Sequence, residues 1–129
     1  MNAADTNILV RFLTMDDERQ FPIAEEIVRA GVFVPHSVLI ETEWVLRSGY
    51  GWSAERINDE FADLLTIDSI EVDQTEAVSW ALDRHKAGAD WADMLHLIAS
   101  IGHSAFITFD RALPDAAGRD TPIPVELLR

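Results

Sequence analysis

The sequence contains no cysteine and a single lysine, Lys86. Without cysteine there are no disulfides, no thiol chemistry and no thiolate metal sites. Basic residues are scarce: ten Lys and Arg stand against 23 Asp and Glu, a net charge of −13. That balance opposes contact with a polyanion, because nucleic-acid binding normally shows as a basic patch. Acidic residues gathered around cations are an exception, since the cations reverse the local field. The charge therefore weakens a nucleic-acid role without deciding it. Apolar residues make up 48% of the chain, yet no run approaches the roughly 18 needed to cross a bilayer. The expectation is a globular protein away from the membrane. Met1-Asn2-Ala3-Ala4-Asp5 has neither the basic segment nor the apolar stretch of an export signal, so a cytosolic location is expected. No repeat or low-complexity segment occurs, and 129 residues suit one domain spanning 1–129.

The chain is organised around Gly88-Ala89-Asp90-Trp91-Ala92-Asp93-Met94-Leu95-His96-Leu97-Ile98-Ala99-Ser100-Ile101-Gly102. Glycines punctuate both ends, and helical stepping puts Trp91, Met94, Leu95, Leu97, Ile98 and Ile101 on one apolar arc that should face a core. Asp90 falls inside that arc and Asp93 at its edge. Capping accounts for one of them: Asp90 can accept from the N–H of Asp93, which the helix dipole also favours. It accounts poorly for two, because residues three apart on a helix lie roughly 5–6 Å from each other and like charges there repel unless a cation intervenes.

Elsewhere, Ala3 to Leu13 reads as a short strand ending at Asp5 and then a helix. Asp5 is either a further helix cap or a ligand-facing residue at the carboxyl end of a strand. A helix over Phe21 to Ala30 stops at Gly31, and Val32-Phe33-Val34-Pro35 is a short buried strand. Ser37 to Arg47 is helical, with Ser37 as N-cap. Val38, Glu41, Val45 and Ser48 share one line along it, so Glu41 points with apolar neighbours while Glu43 sits on another face; a solvated glutamate is the plainer reading. A helix capped by Ser53 runs to Leu65, and Ser69 to Val72 is a short strand or bridge. Thr75 to Lys86 is an amphipathic helix with His85 on its outer face. Ala105 to Asp110 reads as a buried strand ending in a second strand-terminal aspartate, and Thr121 to Glu126 as an edge strand. Alternating strands and helices imply an α/β fold, mainly parallel, with right-handed crossovers and a central sheet of four to five strands. In it Asp5, Glu41, Asp90, Asp93 and Asp110 can converge at one sheet edge.

Oxygen-only ligands suit the hard cations Mg²⁺ and Mn²⁺, and His36, His96 and His103 lack the spacing of a histidine metal site. With one or two cations, such carboxylates orient a phosphate and activate water, so phosphodiester hydrolysis is the natural reaction class.

The series Asp5-Thr6-Asn7, Val38 to Arg47 followed by Gly49-Tyr50-Gly51, Gly88 to Asp93, and Thr108-Phe109-Asp110 resembles a PIN-domain ribonuclease of the VapC toxin type along nearly the whole chain. The resemblance implies a three-layer α/β/α fold. It implies a Mg²⁺- or Mn²⁺-dependent endoribonuclease, the toxin of a type II toxin–antitoxin pair. The acidic quartet falls on Asp5, Glu41, Asp93 and Asp110, with Asp90 as a fifth member and Asn7 and Thr108 holding the first and last aspartates. Trp91 stands where phenylalanine is more usual. A homodimer that also binds a small antitoxin is expected, because four tryptophans, with Trp44 and Trp52 around a helix connection and Phe12 on the first helix, exceed what one core easily hides. A receiver-type phosphoryl-transfer switch is one alternative, but it needs a lysine after a late strand, and Lys86 precedes the acidic stretch. A catalytically silent PIN module is another, and it would be expected to have lost an acid.

Overall fold

A computed structural model describes all residues, 1–129. The chain divides into two compact units, Met1–Asp73 and Gln74–Arg129.

In the first unit the order is β1 (Asn2–Ala3), α1 (Thr6–Thr14), α2 (Gln20–Ala30), β2 (Val32–Phe33), α3 (His36–Ser48), α4 (Ala54–Leu65) and β3 (Ile70–Glu71). The strands form a parallel sheet in the order β1-β2-β3, with Asn2 opposite Val32 and Val32 opposite Ile70. Each strand has only two residues, and backbone bonds from Ala4 N–H to Phe33 O and from Val34 N–H to Glu71 O, both 2.9 Å, extend the pairing past the strand ends. Helices fill the intervals because apolar residues recur at helical spacing. Leu9, Val10 and Leu13 of α1, Ala24 and Val28 of α2, Leu39 and Leu46 of α3, and Ile57, Phe61 and Leu64 of α4 are all buried.

Local chemistry sets the boundaries. Gly31 ends α2 at φ 104°, a conformation that side-chain-bearing residues avoid. Ser53 caps α4 by accepting from the N–H of Arg56 at 3.1 Å. Ser37 is not a cap: α3 begins one residue earlier, behind Pro35, whose fixed φ of −62° already matches the entry to a helix.

In the second unit the order is α5 (Thr75–Lys86), α6 (Trp91–Ala99), β4 (Phe106–Thr108), α7 (Leu113–Ala117) and β5 (Val125–Leu127). The strands β4 and β5 pair in parallel, Phe106 opposite Val125 and Thr108 opposite Leu127. Val78, Ala81 and Leu82 of α5 are buried, as are Trp91, Met94, Leu95, Leu97 and Ile98 of α6. The short helix α7, which carries no sequence period long enough to announce it, is tied to α5 by Arg84. Its Nε donates to the Ala116 carbonyl at 2.7 Å and its Nη2 to that of Asp115 at 3.1 Å. Gly118 ends α7 at φ 76°, where a Cβ would lie 3.0 Å from the Arg84 guanidinium carbon, so both the turn and the tether need glycine there.

Five strands match the sequence reading in number and each sheet is parallel, but the hydrogen-bonded pairing makes a three-stranded sheet in one unit and a two-stranded sheet in the other. Strands of two or three residues offer few ladder groups to share. Several burial expectations change as well. The strand β4 is not buried, and Ile107 is 61% exposed, because a two-stranded sheet leaves a face open. On α3 it is Glu43, 6% exposed, that sits inside, while Glu41 is exposed. Glu43 is tolerated there because Arg47, one turn on, donates to it at 2.7 Å. His85 is also buried, edge-on to Trp91 at 5.6 Å. Of the tryptophans only Trp44 is largely exposed; Trp52 is buried beneath the Arg56 guanidinium, 3.7 Å from its ring centroid.

Candidate active site

Asp90 is the N-cap of α6, its Oδ2 accepting from the N–H of Asp93 at 3.0 Å. This places the Asp93 carboxylate in the first helical turn, half-buried, on the same helix mouth. Burial, then the nearby charges of Asp90 and Asp110, push the Asp93 carboxyl above its ordinary range, against the opposing pull of His96 one turn along. His96 was assigned no role from sequence, although its spacing of three from Asp93 on a helix was there to be read. None of the three aspartates has a salt-bridge partner.

Asp110 follows β4. The hydroxyl of Thr108 accepts from the Asp110 backbone N–H at 2.9 Å, and Asp110 Oδ1 accepts from the N–H of Ala112 at 2.9 Å. In the first unit Asp5 caps α1 with Oδ1, which accepts from the N–H of Thr6 at 2.7 Å, and sits two residues beyond β1. Asp5, Asp90 and Asp110 thus share a pattern in which one carboxylate oxygen is anchored to a backbone N–H and the other makes no hydrogen bond within the chain. Glu41 stands exposed on α3. Asn7, exposed at the start of α1, lines a groove of about 260 Å³ with Ile8, Arg11, Gln20, Ile23 and Ala24, and makes no hydrogen bond to Asp5.

The structure therefore brings Asp90, Asp93 and Asp110 into electrostatic reach within the second unit, while Asp5 and Glu41 belong to the first. No three His, Asp or Glu side chains stand close enough to enclose a cation as they are. Asp5, Asp90 and Asp110 are each turned towards a backbone N–H group. In chemistry the donor set fits a hard divalent cation: every group is a carboxylate, and a cation would offset both the burial and the like charges that raise Asp93.

Residues 3–119 match the family model for the PIN domain. The chain belongs to the PIN domain family. PIN domains are generally nucleases, and the matched span contains all five acids singled out from the sequence. A search of curated proteins and one of solved structures each gave no significant match. In this PIN domain, helix α6 and the end of β4 carry three of those acids and the first unit carries two.

Proposed function

We propose that this PIN domain is a Mg²⁺- or Mn²⁺-dependent endoribonuclease acting as the toxin of a type II toxin–antitoxin pair. The observation that carries the reading is the pair Asp90 and Asp93 at the mouth of α6, with Asp110 within electrostatic reach of Asp93 and no basic side chain bound to any of the three. Uncompensated like charges in one place oppose folding, and a site that retains them has a use for a cation. The residues that would hold it are Asp5, Glu41, Asp93 and Asp110, with Asp90 as a further candidate. A bound divalent cation supplies positive charge for the scissile phosphate and an activated water. The chain's own contribution is to aim and hold the carboxylates. Backbone N–H groups fix one oxygen of Asp5, Asp90 and Asp110, and Thr108 braces the Asp110 backbone. The carboxylates would serve as ligands to that cation rather than as a covalent nucleophile.

The partner side of the proposal rests on exposed apolar surface in the first unit. Trp44 is 57% exposed, and Met15, Ile23 and Tyr50 are exposed too. An apolar antitoxin helix suits the groove beside Ile8 and Ile23, and a second copy of the chain suits the remaining apolar surface. A PIN module that acts by binding alone is the second reading, favoured by the absence of a ready-made three-ligand cluster.

RNA cleavage with Mn²⁺ and with EDTA separates the two. The nuclease reading expects cleavage that needs metal and is abolished by Asp5→Asn with the fold intact. Full activity in EDTA overturns metal dependence, and no cleavage of any RNA with metal favours the silent module. Light scattering showing a monomer, with no effect of the neighbouring open reading frame's product on activity, removes the dimer and the antitoxin.

A further inference from the structure

An acidic nuclease has an electrostatic difficulty, because the field that holds a cation repels the strand to be cut. The placement of the arginines offers a solution. Arg11 is bound to Asp16, Gln20 and Tyr50, Arg29 to Glu25 and Arg47 to Glu43; Arg56 lies over Trp52 and Arg84 on two carbonyls. Four arginines, Arg19, Arg111, Arg119 and Arg129, have no such partner, although acids outnumber bases by 13 in this chain (23 against 10); of these, Arg111 and Arg129 stand together. The two instead line one cleft of the second unit, about 440 Å³ in volume, with Leu127 and Leu128 as its apolar wall.

We propose that this cleft grips the phosphate backbone of a single-stranded nucleic acid and delivers it to Asp110, with the Phe109 ring as a stacking face for a base. The proposal rests on the nuclease reading for its destination but not for its binding chemistry. Guanidinium groups match phosphate oxygens in a two-pronged geometry, and Arg111 directly follows Asp110 in the chain. The wall is fixed to the acid's own strand: the N–H of Leu128 donates to the Thr108 carbonyl at 2.7 Å, and Thr108 in turn holds the Asp110 backbone. Phe109 is 74% exposed. An isolated ring in water gains little from that position, whereas every base presents a face that can stack on it. Arg111 and Arg129 are thus positioning residues that make a local basic patch beside the acids.

The test is fluorescence anisotropy of a labelled oligouridylate of about 12 nucleotides, titrated in EDTA so that cleavage plays no part. The double variant Arg111→Gln/Arg129→Gln should lose roughly tenfold or more in affinity, and the slope of log K against log salt should fall by about 1.4, the release expected from two phosphates on a single strand. Arg111→Lys/Arg129→Lys should keep the wild-type slope. Phe109→Ala should lose roughly fivefold or more without altering it. Arg19→Gln/Arg119→Gln, which removes the same charge from exposed arginines outside the cleft, should bind within about twofold of wild type. The proposal is overturned if the Gln pair in the cleft binds like wild type, if the control pair loses as much, or if the wild type does not bind. Wild-type cleavage in Mn²⁺ keeps the two readings apart. Binding that depends on the cleft in a protein that cleaves no RNA removes the nuclease reading and leaves the cleft. Unchanged binding in the Gln pair of an active enzyme removes the cleft alone.

Discussion

Replacing Asp93 with asparagine keeps the backbone N–H that Asp90 caps and removes only the charge. Two opposing effects decide the result in the absence of metal. A carboxylate in the first turn of a helix is stabilised by the dipole by about 0.3–1 kcal/mol, which the variant loses. Against this, the variant no longer has to desolvate a charge, nor hold it beside Asp90 and Asp110, and a single like-charge pair at this helical spacing costs about 0.2–0.5 kcal/mol. Desolvation and two like charges set against one dipole contribution tip the balance to the second side, the direction in which the Asp93 pKa is raised. In EDTA at neutral pH, Asp93→Asn should therefore melt as high as the wild type or about 1–3 °C higher. The pH dependence has a definite sign. With its folded pKa above the ordinary value of 3.8, Asp93 binds its proton more tightly in the folded state than in the unfolded one. Its contribution to stability is then most favourable below 3.8 and declines as pH rises from there through the folded value. The advantage of Asp93→Asn should be absent in strong acid, open across that window and stay level above it. Mn²⁺ should reverse the order by stabilising the wild type alone, and cleavage should be lost in the variant. Asp90→Ala is the companion measurement. It removes the cap at a cost of about 0.5–2 kcal/mol, partly offset by relief of Asp93, and should melt about 3–6 °C lower. Asp90→Asn keeps a capping side chain and should melt almost normally, with a partial loss of cleavage. An Asp93→Asn protein that melts below the wild type in EDTA across the whole pH range would refute this account of the helix mouth. Wild-type cleavage in Asp93→Asn, with Asp90→Asn inactive, would exchange the roles of the two aspartates.

Thr108→Val removes the hydroxyl that accepts from the Asp110 N–H and should lower cleavage roughly tenfold at nearly unchanged Tm, measured by initial rates beside a melting curve. Arg47→Met leaves Glu43 buried without its 2.7 Å partner and should cost about 1–2 kcal/mol, less than for a fully buried pair because Arg47 is half exposed, whereas Glu43→Gln should cost less; urea unfolding of the two variants checks the asymmetry. Gly118→Ala introduces a Cβ 3.0 Å from the Arg84 guanidinium at a φ of 76° and should destabilise by about 1–3 kcal/mol, which Arg84→Ala in the same chain should make partly non-additive.

Much of the local structure was legible in the residues, because helix stops and starts are local chemistry. Gly31 after α2, Ser53 before α4 and Asp90 before α6 act through a positive φ or a side-chain oxygen that needs only the next few residues. The apolar arc of α6 likewise followed from helical stepping alone, apart from Ile101, which lies beyond the helix end. The acids of the family pattern are also a property of the chain's order. What the sequence did not contain was which face of each element other elements would cover. Glu41 and Glu43 lie two residues apart on α3, and only packing decided that Glu43 goes inside, where Arg47 neutralises it. The same holds for His85, which reads as a surface residue until Trp91, from another helix, closes over it, and for β4, whose run of apolar residues ends up half open because β5 supplies its only strand partner. Burial depends on partners distant in sequence, and so does the electrostatic crowding of Asp93: Asp90 is its neighbour by helix geometry, but Asp110 reaches it only because the folded second unit brings the end of β4 near the start of α6.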